Sequence, residues 1–250
     1  MAALSVYERE NVLVAQFTRD KPVNPLNREL ARGIVEACQT AQEASSVKAL
    51  VLTGGLGRSF CAGDDLNEVS QIASLRDVED LIENVLELCV AILGLTKPTV
   101  AGIDGYVIGA GVQMALCCDW RVGTSNTKAF GWELKHGLAC PMNAYMLEKS
   151  LGRAAMSEII FGCEMLPIGW AEEHKVFNEI ADAKDVVDKA ISRAAVLGSC
   201  SEVSYRRTKE VLNRPFIAGL KAVAPLAKDV HAEGFRNNSA SSHFARVLRQ

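Results

Sequence analysis

Two stretches of this chain could together polarise a carbonyl group. In each, an apolar run enters a glycine-rich turn and the turn opens a helix. Ala49–Thr53 leads to Phe60–Asp65, and Thr99–Ile103 leads to Gly105–Gly111. Glycine admits backbone conformations closed to other residues and lets a ligand approach the main chain closely. A helix start adds unpaired N–H groups and the positive end of a dipole. Two such turns side by side can aim two N–H groups at one oxygen, which is an oxyanion hole. The plain alternative is a pair of ordinary strand–helix connectors. Other chemistries find no support in the spacing. No Walker A run occurs. Gly55-Leu-Gly57-Arg-Ser-Phe60 lacks the third glycine of the dinucleotide fingerprint, and Gly109-Ala-Gly111 has Met114 where that glycine would fall. Histidines 136, 174, 231 and 243 are too far apart to suggest a metal site. Glu133-Leu-Lys-His136 is half of a di-iron motif, and no second half exists. There is no Gly-x-Ser-x-Gly elbow.

The elements that must hold these turns follow from periodicity and punctuation. Val12–Phe17, 47–53 and 98–103 read as strands, with shorter ones at 120–122, 128–130 and 175–180. Asn27 caps a helix from Arg28 to about residue 44, and Asp65 opens another. A longer helix spans about 76–93, one follows the second turn over 112–118, and from about Asn143 the pattern is mainly helical. The 250 residues suffice for one sizeable core, with 49% apolar and 23% charged residues. Net charge is 27 − 30 = −3, so the basic balance of a nucleic-acid binder is missing. Residues 98–118 are long and apolar enough to raise a membrane helix, but Pro98, Gln113 and four glycines fit a buried strand, turn and helix better. The first residues show no secretory pattern, so the expectation is a cytoplasmic protein with no membrane association. Eight cysteines without a Cys-x-x-Cys pair read as reduced thiols rather than a disulfide framework or metal site.

Ser59-Phe-Cys-Ala-Gly-Asp-Asp-Leu66, Lys97-Pro-Thr-Val-Ala-Gly-Ile-Asp-Gly-Tyr-Val-Ile-Gly-Ala-Gly111 and Cys118-Asp119 resemble the crotonase (enoyl-CoA hydratase/isomerase) superfamily in order and separation. The resemblance implies an α/β fold, a spiral of repeated ββα units over residues 1–195. It also implies a C-terminal helical segment over 196–250 that builds a homotrimer or a dimer of trimers, and an acyl-CoA substrate. It assigns the oxyanion donors to the N–H groups of Asp64 and Ala110, with Ala62, Gly63, Asp65, Leu66 and Gly109 along the CoA path. Hydratases of the family use two glutamates; here one position holds Gln113 and the other Glu133. An amide transfers no proton at neutral pH, so hydration is disfavoured.

Trp132-Glu-Leu-Lys-His-Gly137, Asn213-Arg-Pro-Phe-Ile217, Ala227-Lys-Asp-Val-His231 and Ser242-His-Phe244 narrow the resemblance to the carboxymethylproline synthase branch, which serves carbapenem antibiotic biosynthesis. The implied reaction decarboxylates malonyl-CoA to an enolate, adds it to pyrroline-5-carboxylate and hydrolyses the thioester. No metal or redox cofactor is implied. Glu133 is then the hydrolytic base, while Gln113 and His231 contact substrate. Asp64 departs from the small residue relatives carry at the first donor, and Ala110 is small. Asp65 also reads as a helix cap, Gln113 as a packed amide, Trp132 as a core residue, His231 as a solvated or core histidine, and Lys21 and Arg28 as either phosphate ligands or loop cations. A single-glutamate enoyl-CoA isomerase, a malonyl-type CoA decarboxylase and an inactive scaffold of the same fold are the rival functions.

Overall fold

The computed structural model describes residues 2–129, 133–136 and 139–236, with Glu133, His136 and Phe235 described by their backbone alone. Eight strands are present among them: β1 (Leu4–Arg9), β2 (Val12–Phe17), β3 (Ala49–Thr53), β4 (Thr99–Gly102), β5 (Tyr106–Val107), β6 (Trp120–Thr124), β7 (Lys128–Ala129) and β8 (Glu179–Ala181). The helices are α1 (Arg28–Glu43), α2 (Leu66–Val69), α3 (Leu75–Gly94), α4 (Ala110–Cys117), α5 (Pro141–Leu151), α6 (Arg153–Gly162), α7 (Ile168–Glu173), α8 (Val186–Gly198) and α9 (Glu202–Arg236). A 3-10 turn covers Glu133–His136.

The main sheet runs β1-β2-β3-β4-β6-β8. β1 is antiparallel to β2, and every later pair is parallel. Side chains alternate across a strand, so each strand feeds two cores. Val12, Val14, Ala49, Val51, Val100 and Val122 pack on α8. Leu13, Phe17, Leu50, Leu52 and Ala101 face the larger core with α1 and α3. Both faces are covered, which is why β3 and β4 read as continuous apolar runs.

Asn27 caps α1 by accepting from the Leu30 N–H, and Ser74 with Asp77 forms a capping box on α3. β1 is the strand that sequence patterning passes over. It is an edge strand whose residues beyond Leu4 are exposed, so burial leaves no alternation to read. The other differences are of boundary. The expected strand at 175–180 settles as β8 at Glu179–Ala181, the 112–118 helix begins two residues earlier at Ala110, and the glycine-rich second turn itself contains β5.

The expected division at residue 195 falls within α8, and α9 starts at Glu202. α9 is fastened to the sheet by a buried lysine. Lys209 Nζ donates to Asp119 Oδ2 at 2.7 Å and to the Lys97 carbonyl at 3.0 Å. Asp119 Oδ2 also accepts from the Thr99 N–H at 2.8 Å, so β4, β6 and α9 meet on one carboxylate. Pro215 and Pro225 lie inside α9. Among the described residues, no helix is long and apolar enough to cross a membrane.

Candidate active site

Above the ends of β3 and β4 a second, irregular layer forms from three chain segments. Residues 22–26 line one side of 59–65 through Ser59 N–H to Pro22 O (2.9 Å), Ala62 N–H to Val23 O (3.0 Å), Leu26 N–H to Gly63 O (2.8 Å) and Asp65 N–H to Leu26 O (2.7 Å). Residues 104–108 line the other side through Phe60 N–H to Asp104 O, Cys61 N–H to Tyr106 O and Ile108 N–H to Cys61 O, each 2.9 Å. The two glycine-rich turns are therefore zipped together.

This zipper sets the direction of two peptide groups. In a trans peptide the C=O and the following N–H point opposite ways. The Gly63 carbonyl is engaged by Leu26, so the Asp64 N–H points to the other side, where the second turn runs. The Gly109 carbonyl accepts from the Gln113 N–H at 3.1 Å, so the Ala110 N–H points out of the N-terminal end of α4. Gly109 makes this turn at φ 52° and ψ −116°, which a side chain would disfavour strongly. A Cβ on Gly111 would stand 2.4 Å from the Cys61 carbonyl oxygen, so only glycine lets the turns touch.

The first turn is braced from below. Asp65 is buried, caps α2 by accepting from the Asn67 N–H, and pairs with the Arg19 guanidinium at 2.5 Å. Arg58 holds the loop that carries Arg19, donating to the Arg19 and Lys21 carbonyls and to Asn24 Oδ1. The Asp65 carboxylate is thus committed to structure, as the cap reading expects. Arg19→Met should leave this carboxylate buried and under-compensated. Breaking such a pair costs about 3–5 kcal/mol. A urea midpoint should fall accordingly, and Arg19→Met with Asp65→Asn should recover part of the loss; an unchanged midpoint would remove the brace.

Gln113 lies one turn along α4 from Ala110 and shares its face. Its Oε1 is buried and finds no hydrogen-bond partner among the described residues. Such an acceptor is costly without a ligand or water. β5 and β7 are parallel, Val107 facing Ala129, and both chains leave the pair at one end. The first then reaches Ala110 and the second Glu133, so the topology brings both to that end. The Glu133 side chain, Trp132 and the 242–244 motif lie outside the described residues. His231, on α9, donates from Nδ1 to the Ala227 carbonyl (2.7 Å), and burial pushes its pKa down. No described hydrogen bond or ion pair joins it to Asp64, Ala110 or Gln113. The Cys61 thiol at the junction of the turns is pushed up to about 12, mainly by burial, so it offers no thiolate at neutral pH.

Beside the first turn opens a small cleft of about 40 Å³. Asp64, Arg28 and Glu68 line it with apolar Leu26, Ile72 and Leu81. Spacing alone singled out neither this cleft nor the Arg19–Arg58 brace, because both join residues far apart in the chain.

The sequence matches the Enoyl-CoA hydratase/isomerase family over residues 7–245. The chain belongs to this family. It is 36% identical over 245 residues to carboxymethylproline synthase of Pectobacterium carotovorum subsp. carotovorum, covering 97% of this chain and 98% of that one. It is 22% identical over 231 residues to crotonyl-CoA hydratase of Syntrophomonas wolfei, covering 91% and 86%. Among solved structures, ThnE from S. clavuligerus superimposes with a TM-score of 0.79 at 26% identity, covering 91% of this chain and 100% of that one. An enoyl-CoA hydratase from Bacillus halodurans gives 0.88 at 18%, covering 98% and 99%, a likeness of fold. The crotonase architecture expected from the motifs is the one observed, and the family is one of enzymes.

Proposed function

We propose that this member of the family decarboxylates malonyl-CoA, adds the resulting enolate to 1-pyrroline-5-carboxylate and hydrolyses the thioester to carboxymethylproline and CoA. The observation that carries this reading is the 36% identity to a carboxymethylproline synthase over nearly the whole of both chains. The site chemistry supports it. Loss of CO2 leaves an electron pair shared between the α-carbon and the thioester oxygen. That step needs donors for the oxygen, and the Asp64 and Ala110 N–H groups serve as those donors; one such donor is worth about 3–4 kcal/mol. Attack of the α-carbon on the imine carbon needs no base. Hydrolysis does, and Glu133 takes that role. Gln113 contributes an acceptor and no proton. No metal or redox cofactor enters.

Incubation with malonyl-CoA, with and without 1-pyrroline-5-carboxylate, followed by mass spectrometry, tests this. Carboxymethylproline is expected only with both substrates. Acetyl-CoA alone in both arms would favour the simple decarboxylase. Native hydration of crotonyl-CoA should be negligible, and Gln113→Glu should raise it to a measurable rate in a spectrophotometric assay. A native rate equal to that of a dedicated hydratase would overturn the reading of the Gln113–Glu133 pair.

The assembly proposed is a trimer or a dimer of trimers built through α9. Val203, Val211, Leu212 and Leu226 of that helix stand exposed, each 60% or more. Multi-angle light scattering should give three or six times the 27.0 kDa chain. A stable monomer at micromolar concentration would count against it.

A further inference from the structure

The proposed base and the second proposed donor come from separate chain segments, and a buried polar cluster ties those segments together. The second turn leaves the end of β4 through Asp104 and runs on to Ala110. β6 ends at Thr124, and the chain continues through β7 to Glu133. Asp104, Thr124 and Thr127 are all buried. The Thr124 hydroxyl donates to Asp104 Oδ1 at 2.5 Å, and the Thr127 hydroxyl donates to the Ile103 carbonyl at 3.2 Å. Thr127 Oγ1 also accepts from the Thr124 N–H at 3.0 Å, and the Thr127 N–H donates to the Thr124 carbonyl at 3.0 Å. Two hydroxyls from one turn thus grip two successive residues at the root of the other. Among the described residues no ion pair reaches the Asp104 carboxylate, so the Thr124 hydroxyl is its strong partner.

The main-chain pairing between the two segments is short. β5 and β7 match Tyr106 with Lys128 and Val107 with Ala129, and the Lys128 N–H meets the Gly105 carbonyl at 2.8 Å. A slip of one residue in so short a ladder forfeits few hydrogen bonds, yet it turns every side chain to the opposite face. It also moves the chain that follows by about 3.3 Å. We propose that Asp104 and Thr124 are positioning residues. Their hydrogen bond, seconded by Thr127, sets the register of β7 and so the place of Glu133 relative to the Asp64 and Ala110 N–H groups. This rests on the reaction proposed above and adds the residues that bring its hydrolytic base to the thioester. The residue types suit the role, since a threonine hydroxyl sits on a branched carbon with few rotamers to choose from.

The chemical steps depend on this latch unequally. The two turns are zipped by main-chain bonds, among them Phe60 N–H to the Asp104 carbonyl and Ile108 N–H to the Cys61 carbonyl. None of these uses the Asp104 carboxylate or the Thr124 hydroxyl. Removing that hydroxyl therefore leaves the turns zipped and the donors for the enolate oxygen where they were. Hydrolysis needs a base within hydrogen-bond reach of its water, so it is the step that feels a displaced β7. A loosened latch gives an enzyme that forms the carbon–carbon bond and releases the acid slowly.

The test reads a product ratio from the native chain and three variants, each given malonyl-CoA and 1-pyrroline-5-carboxylate. Mass spectrometry gives the ratio of unhydrolysed carboxymethylproline thioester to free carboxymethylproline, which is independent of the amount of folded enzyme. Thr124→Val keeps the shape and removes the hydroxyl. It should raise the ratio about tenfold, since misplacing a catalytic group by about 1 Å costs up to about 10²-fold. Consumption of malonyl-CoA per folded enzyme should stay at the native level. Thr124→Ser restores the hydroxyl and should return the ratio towards the native one. An unchanged ratio in Thr124→Val, equal losses of decarboxylation and hydrolysis, or a ratio as high in Thr124→Ser overturns the assignment. If Thr124→Val does not fold, Thr127→Val decides in its place by the same ratio. If the native chain forms no coupled product, the reaction assignment fails, and the latch is decided by crystal structures of the native chain and the folded valine variant. A shift of the Glu133 Cα by about 1 Å or more relative to the Ala110 nitrogen supports the latch, and an unmoved Glu133 overturns it.

Discussion

Glu133→Gln should separate the steps of the reaction. Malonyl-CoA should still be consumed, because the donors proposed for the enolate oxygen are main-chain groups that this substitution leaves in place. Free carboxymethylproline should fall by roughly 10²–10⁴, the usual contribution of a positioned general base. The coupled thioester or acetyl-CoA should accumulate instead, and the dependence of the native rate on a basic group should vanish from the pH profile. Mass spectrometry of the CoA thioesters with a thiol assay for released CoA reads all of this. Free product at the native rate would show that Glu133 is not the base. A folded variant that no longer consumes malonyl-CoA would place Glu133 earlier, in decarboxylation or substrate placement.

Gly111→Ala should cost nearly as much by a different route. The added Cβ would meet the Cys61 carbonyl oxygen at 2.4 Å and the Cys61 Cβ at 3.0 Å. Main chain cannot step aside as a flexible side chain can, so the two turns must part. Parting them turns the Ala110 N–H away from the oxygen it is proposed to share with Asp64. Loss of one such donor lowers turnover by about 10²–10³. Here decarboxylation itself should fall, unlike in Glu133→Gln, with the KM for malonyl-CoA less affected. Gly162→Ala is the control, since a Cβ there would meet nothing within 4 Å. Decarboxylation at the native rate in a folded Gly111→Ala would remove the second turn from the chemistry.

Much of this was legible in the chain, for physical reasons. The Asn27 and Asp65 caps show because a cap needs a short polar side chain at one position. β3 and β4 show because both of their faces are buried. The two turns show because their close approach restricts Gly111 and their geometry restricts Gly109. What stayed hidden depends on tertiary partners. β1 is exposed along most of its length and carries no pattern. Lys209 reads as one more surface lysine until α9 docks and buries it against Asp119. Arg19 and Arg58 look like loop cations, and only the fold brings their guanidinium groups under the first turn.

The two donors proposed at the zipped turns belong to the main chain, and every residue type but proline carries that group. A codon change at Asp64, Ala110 or Gln113 therefore edits the surroundings of the oxyanion while leaving the donors in place. Ancestors of this protein could drift through different side chains at those positions without passing through an inactive intermediate. The glycines carry the opposite burden, since Gly111 admits no such drift. The history of such a lineage should show variable residues at the donors, flanked by glycines that hardly vary.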